Sequence, residues 1–185
     1  MPIVNDTGAA DVAVGEVLLH PPFDEQFLSY EHHGAEEGGL GNALGRDCMV
    51  ARLVGGSQRL HDADGSENEH WYSWGATLLA PFDGTVIKVQ PNPTVNQPGT
   101  MDDGVAGYVE FLRADGVHVV YAHVHELRVV EGDQIRRGQA IGTVGNNARS
   151  RCPHVHIGAW HEGYPLQIRF DLNALADVVS RHGGH

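Results

Sequence analysis

The sequence predicts an all-β fold, mostly antiparallel, and three observations predict it. Glycine and proline, 24 and 9 of the 185 residues, are scattered along the chain and cut it into short segments. Several of those segments alternate apolar and polar residues with a period of two, the pattern of a strand with one covered face. Asp83-Gly84 and Asp115-Gly116 stand between such segments, where a tight turn favours them. A polypeptide that is 41% hydrophobic and 19% charged can bury a core without staples, and one domain is expected.

The elements follow in order. Residues 1–15 are small and polar and read as a loose lead-in to a β domain over residues 16–170. "EVLLHPPF" offers a short strand ended by Pro21 and Pro22. From Ser29 to Asp47 the glycine- and acid-rich text reads as an irregular loop leading into a strand, "DCMVARLV". Residues 55–74 are polar and read as a surface insertion. "GATLLAPFDGTVIKVQ" then reads as strand, turn, strand in a first hairpin, and "GYVEFLRADGVHVVYAHVH" as another hairpin. In residues 171–185, "DLNALADVVSRHGG" closes the sequence as a short helix capped by Asp171 and stopped by Gly183.

Composition excludes several functions. A formal charge of −12, with 12 basic residues and no basic stripe, argues against nucleic-acid binding. No apolar run is long enough to span a membrane. The N-terminus lacks the basic and apolar regions of a signal peptide, so as written the sequence reads as cytoplasmic. Thirteen histidines are an excess, and neutral imidazole is the commonest metal ligand. Of these, His182 and His185 sit in a terminal tail that could bind metal adventitiously. Two cysteines, Cys48 and Cys152, are expected as free thiols, since alternation turns Cys48 away from the side of Asp47.

"CPHVHIGAW" supplies the sharper signal: in a strand, His154 and His156 share one face while Val155 and Ile157 take the other. Two further pieces precede it, "YAHV" at 121–124 and "VEGDQIRRGQAIGTVGN" at 130–146. Together they resemble the lysostaphin/LytM-type zinc metallopeptidases, whose signature runs Tyr-Ala-His, Gly-Asp-x-Val-x-x-Gly-Gln-x-Ile-Gly, then Pro-His-x-His. Ile135 stands here where valine is usual, and "GATLLAPFDGTVIKV" is similar to a further stretch of that family. The resemblance covers roughly residues 30–160.

The resemblance implies a duplicated hybrid motif, or barrel-sandwich-like, fold. It also implies one Zn2+ per molecule held by two histidines and an aspartate, with an open position for water. Carried over, it assigns His156 and Asp47 as ligands. The commoner His-x-x-x-Asp spacing falls on Ala43, but a subset of the family places the histidine a loop earlier, as "EHHGAEEGGLGNALGRD" does, which points to His33, with His32 as the alternative. His123 and His154 become the catalytic histidines beside the metal, one as base and one as donor, without deciding which. The implied activity is endopeptidase cleavage of stem or cross-bridge peptides of peptidoglycan, which implies an extracellular or cell-wall location. His125 reads as a surface or supporting group, and His61, His70, His118 and His161 as structural; Asn146 and Asn147 read as turn residues.

Two rivals stand beside this reading. "VEGDQIRRGQAIG" also resembles the turn of biotinyl carriers, but no lysine lies between Asp103 and His185 to be modified. The other is a catalytically inactive homologue acting as a wall-binding or activator module, which the missing His-x-x-x-Asp would fit.

Overall fold

A computed structural model describes residues 14–32 and 39–182. Its strands are β1 (Glu16–Leu19), β2 (Phe27–Glu31), β3 (Arg46–Val50), β4 (Arg52–Val54), β5 (Ser57–Arg59), β6 (Thr77–Leu79), β7 (Gly84–Gln90) and β8 (Tyr108–Arg113). They continue with β9 (His118–Ala122), β10 (Val124–His125), β11 (Gln134–Ile135), β12 (Ala140–Val144), β13 (Val155–His161), β14 (Tyr164–Pro165) and β15 (Gln167–Phe170). Helix α1 (Leu172–His182) follows, and Asp171 caps it by accepting from the backbone N–H of Asn173 at 2.9 Å. The mostly antiparallel β architecture with one short C-terminal helix is thus present. No helix of the described residues is long and apolar enough to cross a membrane.

The main sheet runs β11-β7-β8-β9-β13-β3-β2, with β14 paired to β13. A second sheet runs β10-β12-β6, β4 pairs with β5, and β1 lies parallel to β15. Alternation sorts the faces as period two requires: Val109 and Phe111 of β8 and Val119 and Tyr121 of β9 are fully buried. They join Ile157 of β13 and Leu78, Ile141 and Val144 of the second sheet in one core. The opposite face of β13 and β3 carries His156 and Asp47.

Two expectations need correction. Residues 29–47 are not all loop, because Ser29–Glu31 lie in β2, which pairs with β3 along its length, Tyr30 opposite Asp47 and Glu31 opposite Arg46. An Arg46–Glu31 ion pair at 2.7 Å and a Cys48 Sγ–Ser29 Oγ contact at 3.5 Å link the two strands beside the apolar pairs Phe27–Val50 and Leu28–Met49. The segments around Asp83-Gly84 do not pair with each other: β6 joins β12 and β7 joins β8. Buried Phe82 marks the crossing from one sheet to the other.

The 55–74 stretch also reaches inward. Ser73 Oγ accepts from the N–H of Val50 at 2.9 Å, and buried Asn68 donates to the carbonyl of Asn96 at 2.8 Å. Gly183, the expected helix stop, lies outside the described residues.

Candidate metal centre

Register builds the site. Antiparallel pairing places His156 directly opposite Asp47 on one side and Ala122 on the other, so residues 109 apart in sequence share one face. His156 Nδ1 lies 2.9 Å from Asp47 Oδ1. β2 continues the row: the N–H of His32 donates to Gly45 O at 2.8 Å, and the parity that sets Tyr30 opposite Asp47 sends His32 to the same face. His32 Nε2 lies 3.1 Å from Asp47 Oδ2. One ligand atom from each of His32, Asp47 and His156 falls within 4.8 Å of the others. Of the residues named from sequence, His33 lies outside the described residues, whereas His32, the alternative, meets Asp47.

The turn over residues 39–44 lies across this face. Gly41 O accepts from His156 Nε2 at 2.9 Å. The approach is close because Gly158 has no side chain: a Cβ there would lie 1.9 Å from Gly41 O and 2.5 Å from Gly41 C. Gly45 is as constrained, since a Cβ would meet His156 Cε1 at 2.7 Å. β13 is therefore covered on both faces around His156.

These contacts test whether a cation suits the residues. A carbonyl only accepts, so Nε2 of His156 carries a proton, and Nδ1 is the ring atom that faces the Asp47 carboxylate. The 2.9 Å contact between Nδ1 and the carboxylate is bridged by a proton in the metal-free protein, a position that a metal ion can take. Two imidazoles and a carboxylate are zinc's donor set, and the Gly41 carbonyl is the outer partner that a ligating histidine normally has. The residues fit zinc. Burial acts to raise the pKa of Asp47, but hydrogen bonds from His156 and His32 and the nearby His154 outweigh it and hold the carboxyl well below the usual range.

His154 and His123 stand beside this group. His154 Nε2 is 3.6 Å from Asp47 Oδ1, and its Nδ1 donates to Cys152 O at 2.8 Å. His123 breaks the alternation: it follows β9 with φ 63, in the left-handed region, at a cost on the order of 1 kcal/mol. Regular pairing would send its side chain into the core beside Tyr121. The reversal brings its ring centroid to 4.7 Å from that of His154 and 6.5 Å from that of His156, and its Nδ1 donates to Asn147 O at 2.9 Å. Burial, with His154 alongside, lowers the pKa of His123 to about 3, and burial also lowers that of His154. Both shifts favour the neutral ring, and both residues line a cleft of about 560 Å³.

Other sequence readings resolve as follows. His125 stacks on Trp74 at 6.0 Å. His118 stacks on Trp160 and pairs with Glu110, His61 packs on Trp71, His70 meets Asp64 and His161 meets Asp115 O. Asn147 and Asn146 are more than turn residues. Asn147 Oδ1 accepts from Gly107 N and its carbonyl orients His123, while Asn146 donates to Asn68 Oδ1. Nothing in the sequence marks Gly41, Asn147 and Cys152 as carbonyl partners of the site histidines. Cys48 and Cys152 are both free thiols.

Comparison with known proteins adds the following. Residues 72–168 match Peptidase family M23; His32 and Asp47 lie ahead of that match. The DD-carboxypeptidase/endopeptidase Mpg of Neisseria meningitidis serogroup B is 33% identical over 92 residues, 50% of this chain and 21% of that protein. Stage II sporulation protein Q of Bacillus subtilis is 34% identical over 106 residues, 56% and 32% of the two proteins. Lysostaphin of Staphylococcus simulans is 31% identical over 75 residues, 40% and 15%. The chain thus spans about a third or less of the length of these curated relatives. Among solved structures, the catalytic domain of a mutant of the prophage-encoded M23 protein EnpA from Enterococcus faecalis aligns with a TM-score of 0.50 at 22% identity, covering 80% of this chain and 92% of that one. The deep-sea M23 metalloprotease pseudoalterin aligns with a TM-score of 0.51 at 16% identity, covering 81% and 74%. At such identities the likeness is one of fold.

Proposed function

The chain belongs to peptidase family M23, and on that premise we propose that it is a zinc-dependent endopeptidase acting on stem or cross-bridge peptides of peptidoglycan, outside the cytoplasmic membrane. The convergence of His32, Asp47 and His156 carries the reading. Those three would hold the ion. Zinc, when bound, polarises a carbonyl as a Lewis acid and makes water nucleophilic near neutral pH.

The remaining chemistry falls to His123 and His154. Each spends its Nδ1–H on a backbone carbonyl, so each offers an Nε2 lone pair, and burial keeps both neutral. Either ring can take the proton of the attacking water. The ring that has taken it becomes a donor to the tetrahedral oxygen or the departing amine. The carbonyls of Asn147 and Cys152 fix the orientation of the rings, so little reorganisation is required as the proton moves.

Ala43, where the commoner pattern has histidine, favours a second reading: an inactive homologue serving as a wall-binding or activator module. Similarity to a protein named for sporulation rather than hydrolysis points the same way. One experiment separates them: zinc content of protein purified without an affinity tag, alongside digestion of purified wall fragments. About one zinc per molecule and new amino termini are expected from the enzyme. No stoichiometric metal and no cleavage at any pH would leave the module.

A further inference from the structure

The wall of the cleft formed by residues 145–153 carries two arginines, Arg149 and Arg151. Arg149 meets Asp103 at 3.4 Å. The guanidinium of Arg151 has no ion pair or hydrogen bond among the described residues, although the side chain lines the cleft. Its backbone is held: Arg151 O accepts from Gly99 N at 2.7 Å, and Asn96 Nδ2 donates to Ala148 O at 2.7 Å and Ser150 O at 2.9 Å. Asn96 is buried and is in turn bound through its carbonyl to Asn68. A free cationic head thus sits on a fixed base beside the donor group of His32, Asp47 and His156.

Its surroundings make the charge informative. Met49, Met101, Ala106 and Ala122 give the cleft an apolar lining, and Asp47 is engaged by histidines. The protein as a whole carries −12, a field that repels anions, so an unneutralised guanidinium in the cleft acts against that field where a substrate enters. Its planar fork suits a carboxylate.

We propose that Arg151 determines specificity by holding a carboxylate of the bound peptide, so that the preferred substrates bear a free carboxylate near the bond to be cut. This rests on the peptidase reading above. An acidic side group and the free C-terminus of the peptide offer the same chemistry, and the experiment tells them apart.

Three short peptides are compared on the zinc-loaded protein: one with an acidic side group and an amidated end, one with glutamine there and a free end, and one with glutamine and an amidated end. Binding is measured by calorimetry and cleavage by amine release, for wild type, Arg151→Gln and Arg151→Lys. One of the carboxylate peptides is expected to bind wild type about tenfold more tightly than the neutral peptide. In Arg151→Gln that ratio falls to about one with the neutral peptide unaffected, and Arg151→Lys restores part of it. Which peptide wins identifies the carboxylate. The inference is overturned if wild type treats all three alike, by equal binding or by none, or if Arg151→Gln keeps the ratio. Cleavage without discrimination sinks this inference alone; discrimination in binding with no cleavage sinks the peptidase reading, and with it the claim about a bond to be cut, and leaves only the contact between Arg151 and a carboxylate.

Discussion

Gly158→Ala probes the site without touching a ligand. A Cβ at this position would lie 1.9 Å from Gly41 O, where contacts under 3.0 Å essentially never occur, so the 39–44 turn must lift by at least about 1.1 Å. The obstacles are backbone atoms, which cannot swing aside as a flexible side group would. The Gly41 O contact to His156 Nε2, now 2.9 Å, stretches beyond hydrogen-bonding range if the turn lifts off the sheet. Overpacking costs roughly 1–3 kcal/mol and the lost hydrogen bond about 1 kcal/mol, giving an expected destabilisation of about 2–4 kcal/mol. Freed from the carbonyl, the ring of His156 loses its fixed tautomer, and zinc affinity should fall by about 10–100-fold. Denaturant titration measures the first effect and competition with a chelating dye the second. Gly163→Ala is the control: its φ is 82 but no atom lies within 4 Å, so it should cost about 1 kcal/mol and leave zinc affinity intact. Wild-type stability and zinc affinity in Gly158→Ala would refute the claim that this close approach orients His156.

Two further predictions concern protonation. The unfolded state protonates His123 near pH 6.5, whereas burial delays this in the folded protein to about pH 3. The unfolded state therefore binds more protons across that window, and stability drops as pH falls through it. Metal-free protein should lose about 2 kcal/mol between roughly pH 7 and pH 4.5 in denaturant titrations, a slope that His123→Asn reduces; an unchanged slope would contradict the buried neutral imidazole. Burial also pushes the Cys48 thiol up to about 12, with Ser29 and Arg46 only partly offsetting it. At pH 8 a thiol reagent should label at most Cys152 in the native protein and both thiols in denaturant, read by mass; two labels in the native state would contradict the packing of β3.

How far the sequence leads differs from residue to residue. That His154 and His156 share a face follows from period two alone, and the Asp115-Gly116 hairpin from its turn chemistry. Asp47 as partner of His156 comes only with the family resemblance, because pairing between strands so far apart in sequence leaves no local trace. His32 is obscured by the glycines and acids around it, which conceal β2; with that strand recognised, parity selects residue 32. His123 is placed by resemblance too, since regular alternation turns it inward, and no residue preference announces φ 63 on a histidine. The carbonyls of Gly41, Asn147 and Cys152 are backbone groups of turns, and any residue supplies a carbonyl. Arg151 is unremarkable until the fold sets it on a cleft wall.

Diffraction at the zinc absorption edge, from crystals of protein grown with zinc, tests the central claim most directly. One strong anomalous peak is expected, about 2.0–2.2 Å from an imidazole nitrogen of His32, a carboxylate oxygen of Asp47 and Nδ1 of His156. A peak confined to the terminal histidines, or none between those three side chains, would contradict it.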